Sequence, residues 1–140
     1  MAKLIAGFTG TQKGMTPKQA SKLKELLTQE GITELHHGDC IGADARADSI
    51  AHELGIDVVI HPPTKADKRA YCEGAIKVHE TKEYLVRNKD IVNDSRFLFA
   101  TPGEASQVLR SGTWSTVRFG IKSKRKVFVI KPDGEVDIYN

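Results

Sequence analysis

The chain has 140 residues and a mass of 15.4 kDa, with 39% hydrophobic and 28% charged residues and a formal net charge of +3. That length suits one domain spanning residues 1–140, with enough apolar side chains to bury a core without staples. Its apolar runs are too short for a membrane span, its two cysteines too few for a disulfide framework or a cysteine-based zinc site, and its mild basicity a modest platform for a polyanion.

From the amino terminus, Leu4–Phe8 reads as a short buried strand ending in Thr9-Gly10-Thr11-Gln12. The start Met1–Gly7 meets polar residues too soon for a secretory signal, so a cytoplasmic location with reduced, structural Cys40 and Cys72 is expected. Thr16-Pro17 opens a helix, with a capping hydroxyl followed by proline at the first helical position. Ala20, Leu23 and Leu27 share its apolar face, and Gly31 is the natural stop. A brief strand over Glu34–His37 closes at Gly38-Asp39, and a helix fits Ala43–Leu54 before Gly55 ends it.

Val58–Ile60 is a further strand, halted by His61-Pro62-Pro63. Residues 64–81 lack clear periodicity and read as a loop with a short helix, a candidate mobile flap. A helix over 82–93 leads to the apolar strand Phe97–Ala100 and a Thr101-Pro102-Gly103 turn. A helix over 113–120 and a strand over Val127–Ile130 follow, then a Lys131–Gly134 turn and an edge strand over 135–139. Strands that alternate with helices and are continuously apolar predict a mostly parallel sheet covered on both faces, a doubly wound Rossmann-like α/β domain. Ligands of such sheets lie beyond the carboxyl ends of the strands, and the suggestive residues here all follow strands.

Four segments are candidates for that edge. Thr9, Gly10, Thr11 and Gln12 lack the dinucleotide fingerprint, yet hydroxyls on a glycine turn suit phosphate or ribose. In His37–Asp44, Gly38 and Gly42 allow close approach, and Asp39 and Asp44 are placed either to accept from sugar hydroxyls or base edges or to serve as loop and helix-start residues. Arg87-Asn88 offers a two-donor grip on phosphate, or a surface salt bridge. Ser111, Gly112, Thr113, Trp114 and Thr116 form a small, hydroxyl-rich helix start suited to an oxyanion, with Trp114 either stacking on a base or filling the core. His36 and His37 must face opposite sides of their strand, and His61 and Cys72 are remote in sequence, so neither a metal nor a cofactor is expected. The basic run Lys122–Lys126 is either a solvated turn or a gatherer of anions.

In order, these pieces resemble the SLOG superfamily, which joins DNA-processing protein A, the Lonely Guy phosphoribohydrolases and the molybdenum-cofactor carrier proteins. Gly38–Asp44 with Ala47, Ala51 and His52 is similar to the glycine-rich motif of the DNA-processing branch. Arg87–Ser95 resembles its Arg-Asn-x-x-Ile-x-x-x-Ser element, and Ser111–Thr116 its Ser-Gly-Ser/Thr loop. The resemblance implies a Rossmann-like fold, a nucleotide or nucleotide-derived ligand and a homodimer. It departs at the glutamate that the phosphoribohydrolases place just past the Gly-Thr pair, where this chain has Ser115 and Thr116. A hydroxyl without a positioned base does not replace that carboxylate, a loss worth orders of magnitude in rate. Three functions remain open: capture of a phosphorylated nucleotide-like ligand without membrane association, hydrolysis of a nucleotide N-glycosidic or phosphate bond with Asp39 or Asp44 supplying the carboxylate, and single-stranded DNA binding.

Overall fold

The computed structural model describes residues 2–140. Its elements are β1 (Ile5–Gly10), α1 (Pro17–Gln29), β2 (Glu34–His37), α2 (Ala43–Glu53), β3 (Asp57–Ile60), β4 (Lys77–Val78), α3 (Tyr84–Asn93), β5 (Phe97–Thr101), α4 (Gly112–Lys122), β6 (Lys126–Ile130) and β7 (Val136–Tyr139). Local chemistry explains the helix starts. Thr16 and Gln19 form a reciprocal capping box on α1 with Pro17 in the first turn, and the Ser111 hydroxyl caps α4 by accepting from the Trp114 N–H.

The strands form one sheet in the order β4-β3-β2-β1-β5-β6-β7, parallel throughout except for the β6–β7 hairpin. The chain winds outward from β1 through β2 and β3 to β4. It then crosses by α3 to β5 on the other flank of β1, where Phe8 pairs with Phe99. Strand order therefore reverses beside β1, and a crevice opens there at the carboxyl edge. Both faces are covered. Phe8, Leu35, Val58, Ile60, Phe99 and Phe128 pack under α1 and α2, while Leu98, Ala100, Val127 and Val129 pack under Trp114 and Val117 of α4 and Val92 of α3.

The expected doubly wound fold is therefore present, with two differences. Residues 64–81 are not a free flap: a single 3-10 turn over Ala66–Lys68 is tied to the β2–α2 loop and leads into the two-residue parallel strand β4. A strand that short carries no periodicity for sequence reasoning to detect. The basic run at 122–126 lies at the amino end of β6, opposite the carboxyl edge, where Arg125 donates to the Val92 and Ser123 carbonyls. It is a turn on the far side of the sheet from that edge. Among the described residues, no helix is long and apolar enough to cross a membrane.

Candidate functional site

At the carboxyl edge a cleft of about 410 Å³ is lined by Gln12, Cys40, Pro63, Thr64, Lys65, Lys68, Glu83, Tyr84 and Leu85. Gln12, Cys40 and Tyr84 also line a narrower recess reaching inward to Thr9, Gly10, Gly38, Asp44, Arg87 and Asn88. Three of the four sequence segments thus meet at one place. The fourth joins through Gly112, whose missing side chain leaves room for Tyr84: a Cβ there would stand 2.6 Å from the phenol oxygen. With Ser111 occupied by the Trp114 N–H, the N–H groups of Gly112 and Thr113 are left at the mouth of α4.

The inner recess is organised by Arg87. Its guanidinium is buried, donating from Nη1 to the carbonyls of Gly38 at 2.6 Å and His61 at 3.2 Å, and it stacks on Tyr84 at 4.7 Å. One arginine on α3 thereby ties together the ends of β2 and β3. Its Nε and the neighbouring Asn88 Nδ2 are buried without a partner, as is the Thr101 hydroxyl at the end of β5. Buried donors are nearly always satisfied, so these two orphaned donors on consecutive residues of α3, both residues lining the recess, single it out as the candidate site.

Several of the candidate residues already make contacts within the fold. Asp39 is fully buried in left-handed backbone, at φ 55°, and its carboxylate accepts from Arg69 Nε at 2.8 Å and the Cys72 N–H at 2.9 Å. It anchors the 69–72 segment from a fully buried position. Thr11 holds the start of α2: its carbonyl accepts from Ala43 N and its hydroxyl from Lys13 N. A Cβ on Gly10 would lie 2.5 Å from both Ala43 Cβ and Thr101 Oγ1, so this glycine serves strand–helix packing. Trp114 is buried in the α4-side core with its indole N–H donated to Glu104, the core-filling alternative of the two. The Thr116 hydroxyl turns back to the Gly112 carbonyl one helical turn earlier.

Asp44 does stand at the recess, buried and accepting from the Cys40 N–H at 3.1 Å. Burial pushes its carboxyl above the ordinary carboxylate range, against the pull of His37 and Arg87. A carboxyl with a higher pKa folded than unfolded keeps its proton longer in the native state. Its ionisation therefore opposes folding as pH climbs above the unfolded value of about 4. Asp44→Asn should gain stability relative to the parent chain as pH rises above about 4 in urea titrations. A difference that stays flat over that rise would show ordinary titration of Asp44.

Sequence reasoning missed Lys65, Lys68, Glu83 and Tyr84. Both lysines follow β3, so the rule that ligands sit past strand ends pointed to them within the segment that showed no pattern. Tyr84 precedes Arg87 by three positions, a spacing that puts both on one helix face. Cys40 also lines both cavities, where burial pushes its thiol pKa up against the pull of Arg87.

The sequence matches no protein-family model and no curated protein. In fold it is similar to the molybdenum cofactor binding protein from the phototrophic bacterium Rippkaea orientalis, with a TM-score of 0.71 and 21% identity over 94% of this chain and 78% of that one. It is also similar to the Moco carrier protein from Chlamydomonas reinhardtii, with a TM-score of 0.67 and 22% identity over 91% of this chain and 76% of that one. Likeness at this level of identity concerns architecture, and it establishes a Rossmann-like α/β fold shared with these two proteins.

Proposed function

We propose that the protein binds a phosphorylated, nucleotide-like small molecule at the carboxyl edge of its sheet. The observation that carries this reading is the pair of unpartnered buried donors, Arg87 Nε and Asn88 Nδ2, at the inner recess of an open cleft beside the strand-order reversal. The cleft volume of about 410 Å³ suits a molecule of nucleotide size. Lys65 and Lys68 supply cationic character at the outer wall, the amino end of α4 supplies N–H donors, and Gln12 and Asn88 supply directional contacts. The two proteins of similar fold are named for binding or carrying molybdenum cofactor, which favours ligand capture on this architecture over bond cleavage. The engagement of Asp39 by Arg69 and Cys72 also takes away one of the two carboxylates a hydrolytic reading would use.

Calorimetric titration with nucleoside mono-, di- and triphosphates and with molybdenum cofactor tests the proposal. Binding tighter than about 1 mM by at least one phosphorylated compound, and not by its dephosphorylated form, is expected. No such binding across the panel overturns it. Single-stranded DNA belongs in the same panel because the sequence motifs resemble those of the DNA-processing branch. Preference for DNA, or release of free base from the incubated nucleotides, would replace the small-molecule capture reading. In the same samples a homodimer is the expected species, read by sedimentation.

Replacing both Lys65 and Lys68 with alanine is expected to weaken the phosphorylated ligand by about tenfold and to flatten its salt dependence, since exposed lysines act mainly through screened Coulomb attraction. Affinity and salt slope equal to those of the parent chain would move the anionic end of the ligand away from this wall.

A further inference from the structure

On the α3 side of β2 the sheet carries a buried polar patch. Glu34 and His36, two apart on one strand, share that face and are both buried. His61, just past β3, is held beside them by its N–H bond to the His37 carbonyl. Asp94, the residue closing α3, reaches the same spot. His36 Nδ1 lies 2.8 Å from His61 Nε2, and Asp94 Oδ2 lies 4.0 Å and 3.7 Å from those two nitrogens.

We propose that His36 Nδ1, His61 Nε2 and Asp94 Oδ2 form a binding site for a divalent transition-metal cation of the zinc type, separate from the nucleotide cleft. Bonds of about 2.0–2.1 Å in a tetrahedral arrangement put neighbouring donor atoms about 3.4 Å apart. The two imidazoles need to part by roughly half an ångström and the carboxylate to close by a similar amount, within the reach of small side-chain rotations. The donor set, two imidazoles and one carboxylate, selects zinc-like cations over magnesium or calcium.

Three features outside the donor set support the assignment. Glu34 Oε2 sits 2.7 Å from His36 Nε2, which places the ring proton on that nitrogen and turns the Nδ1 lone pair toward His61. A carboxylate behind a metal-bound histidine is the usual supporting contact of such sites. His79 stacks on the His61 ring with centroids 4.3 Å apart, fixing its plane. The site also lies at the carbonyl end of α3, where the helix dipole favours a cation. Asp94 is about half exposed, so an ion has a route in, and three protein donors leave a coordination position for water. The rival cluster of His37, Asp48 and Cys72 is less suited, because the Asp48 carboxylate already engages both His37 and His52.

The test uses the full chain stripped with a chelator and titrated with zinc against a chromophoric competitor, with no nucleotide present, so its result does not depend on the function of the cleft. One equivalent of zinc is expected to bind at micromolar strength or tighter. Cobalt in its place is expected to give the visible bands of a four-coordinate nitrogen–oxygen site without a thiolate charge-transfer band. Asp94→Asn, at a half-exposed position that leaves the fold intact, should weaken zinc by at least about tenfold, His61→Ala by more, and Cys72→Ser not at all. No zinc binding below about 1 mM would mean the cluster holds only a proton between two imidazoles, and would overturn the proposal. Binding that survives Asp94→Asn but is lost in Cys72→Ser would overturn it equally, assigning the ion to the rival cluster.

Discussion

Gly42→Ala is expected to cost at least about 3 kcal/mol of stability, a large share of the total of a domain this size. Gly42 stands at φ 90° and ψ −124°, in a region that side chains with a Cβ almost never occupy. The added methyl would also run into the backbone of Gln12, at 2.5 Å from its carbonyl carbon and 2.8 Å from its Cα. Neither obstacle is a flexible side chain that swings aside, so the β1–α1 loop and the start of α2 must separate. That separation strains the Ala43 N–H bond to the Thr11 carbonyl, the contact that seats α2 against the loop. Urea unfolding checks the value, and a change within about 0.5 kcal/mol would mean that the two loops are not packed as described.

Arg87→Ala is expected to cost about 3–5 kcal/mol and to abolish ligand binding together with stability. The Gly38 and His61 carbonyls would lose a charged donor in a buried setting, and Tyr84 would lose the planar group on which it rests. Arg87→Lys separates the two consequences. An ammonium on a flexible stem cannot stack on the Tyr84 ring in the same way or present the Nε donor, so binding should fall by more than tenfold while part of the stability returns. Binding equal to that of the parent in the lysine variant would reduce Arg87 to a strut between strands and leave the recess to Asn88.

The architecture was readable in the chain because its signals are local. Hydroxyl and proline at residues 16 and 17, glycine at 31 and 55, and strands of unbroken apolar residues each act over a few positions, and they compose into alternating elements. The location of the cleft was readable too, since it follows from topology. Individual roles were harder. Asp39 reads equally as a ligand acceptor or a loop residue because its partners, Arg69 and Cys72, come from a distant segment without pattern. Arg87 reads as a phosphate grip or a surface salt bridge, and nothing in its local context shows that the ends of two strands converge on it. The same distance hid the meeting of His36 with His61, which the spacing alone had argued against. Long-range pairs are what a one-dimensional reading lacks.

The central position of β1 also constrains how the chain acquires its shape. β1 is the first strand made, yet its full pairing with β5 joins Ala6 to Phe97 and Gly10 to Thr101. Bringing such distant segments together costs chain entropy before the contacts repay it, which makes this a slow-folding topology for its size. During synthesis the first hundred residues must wait with the middle strand open along one side. A stalled or prematurely ended chain would present that bare edge to its neighbours, and aggregation would begin there.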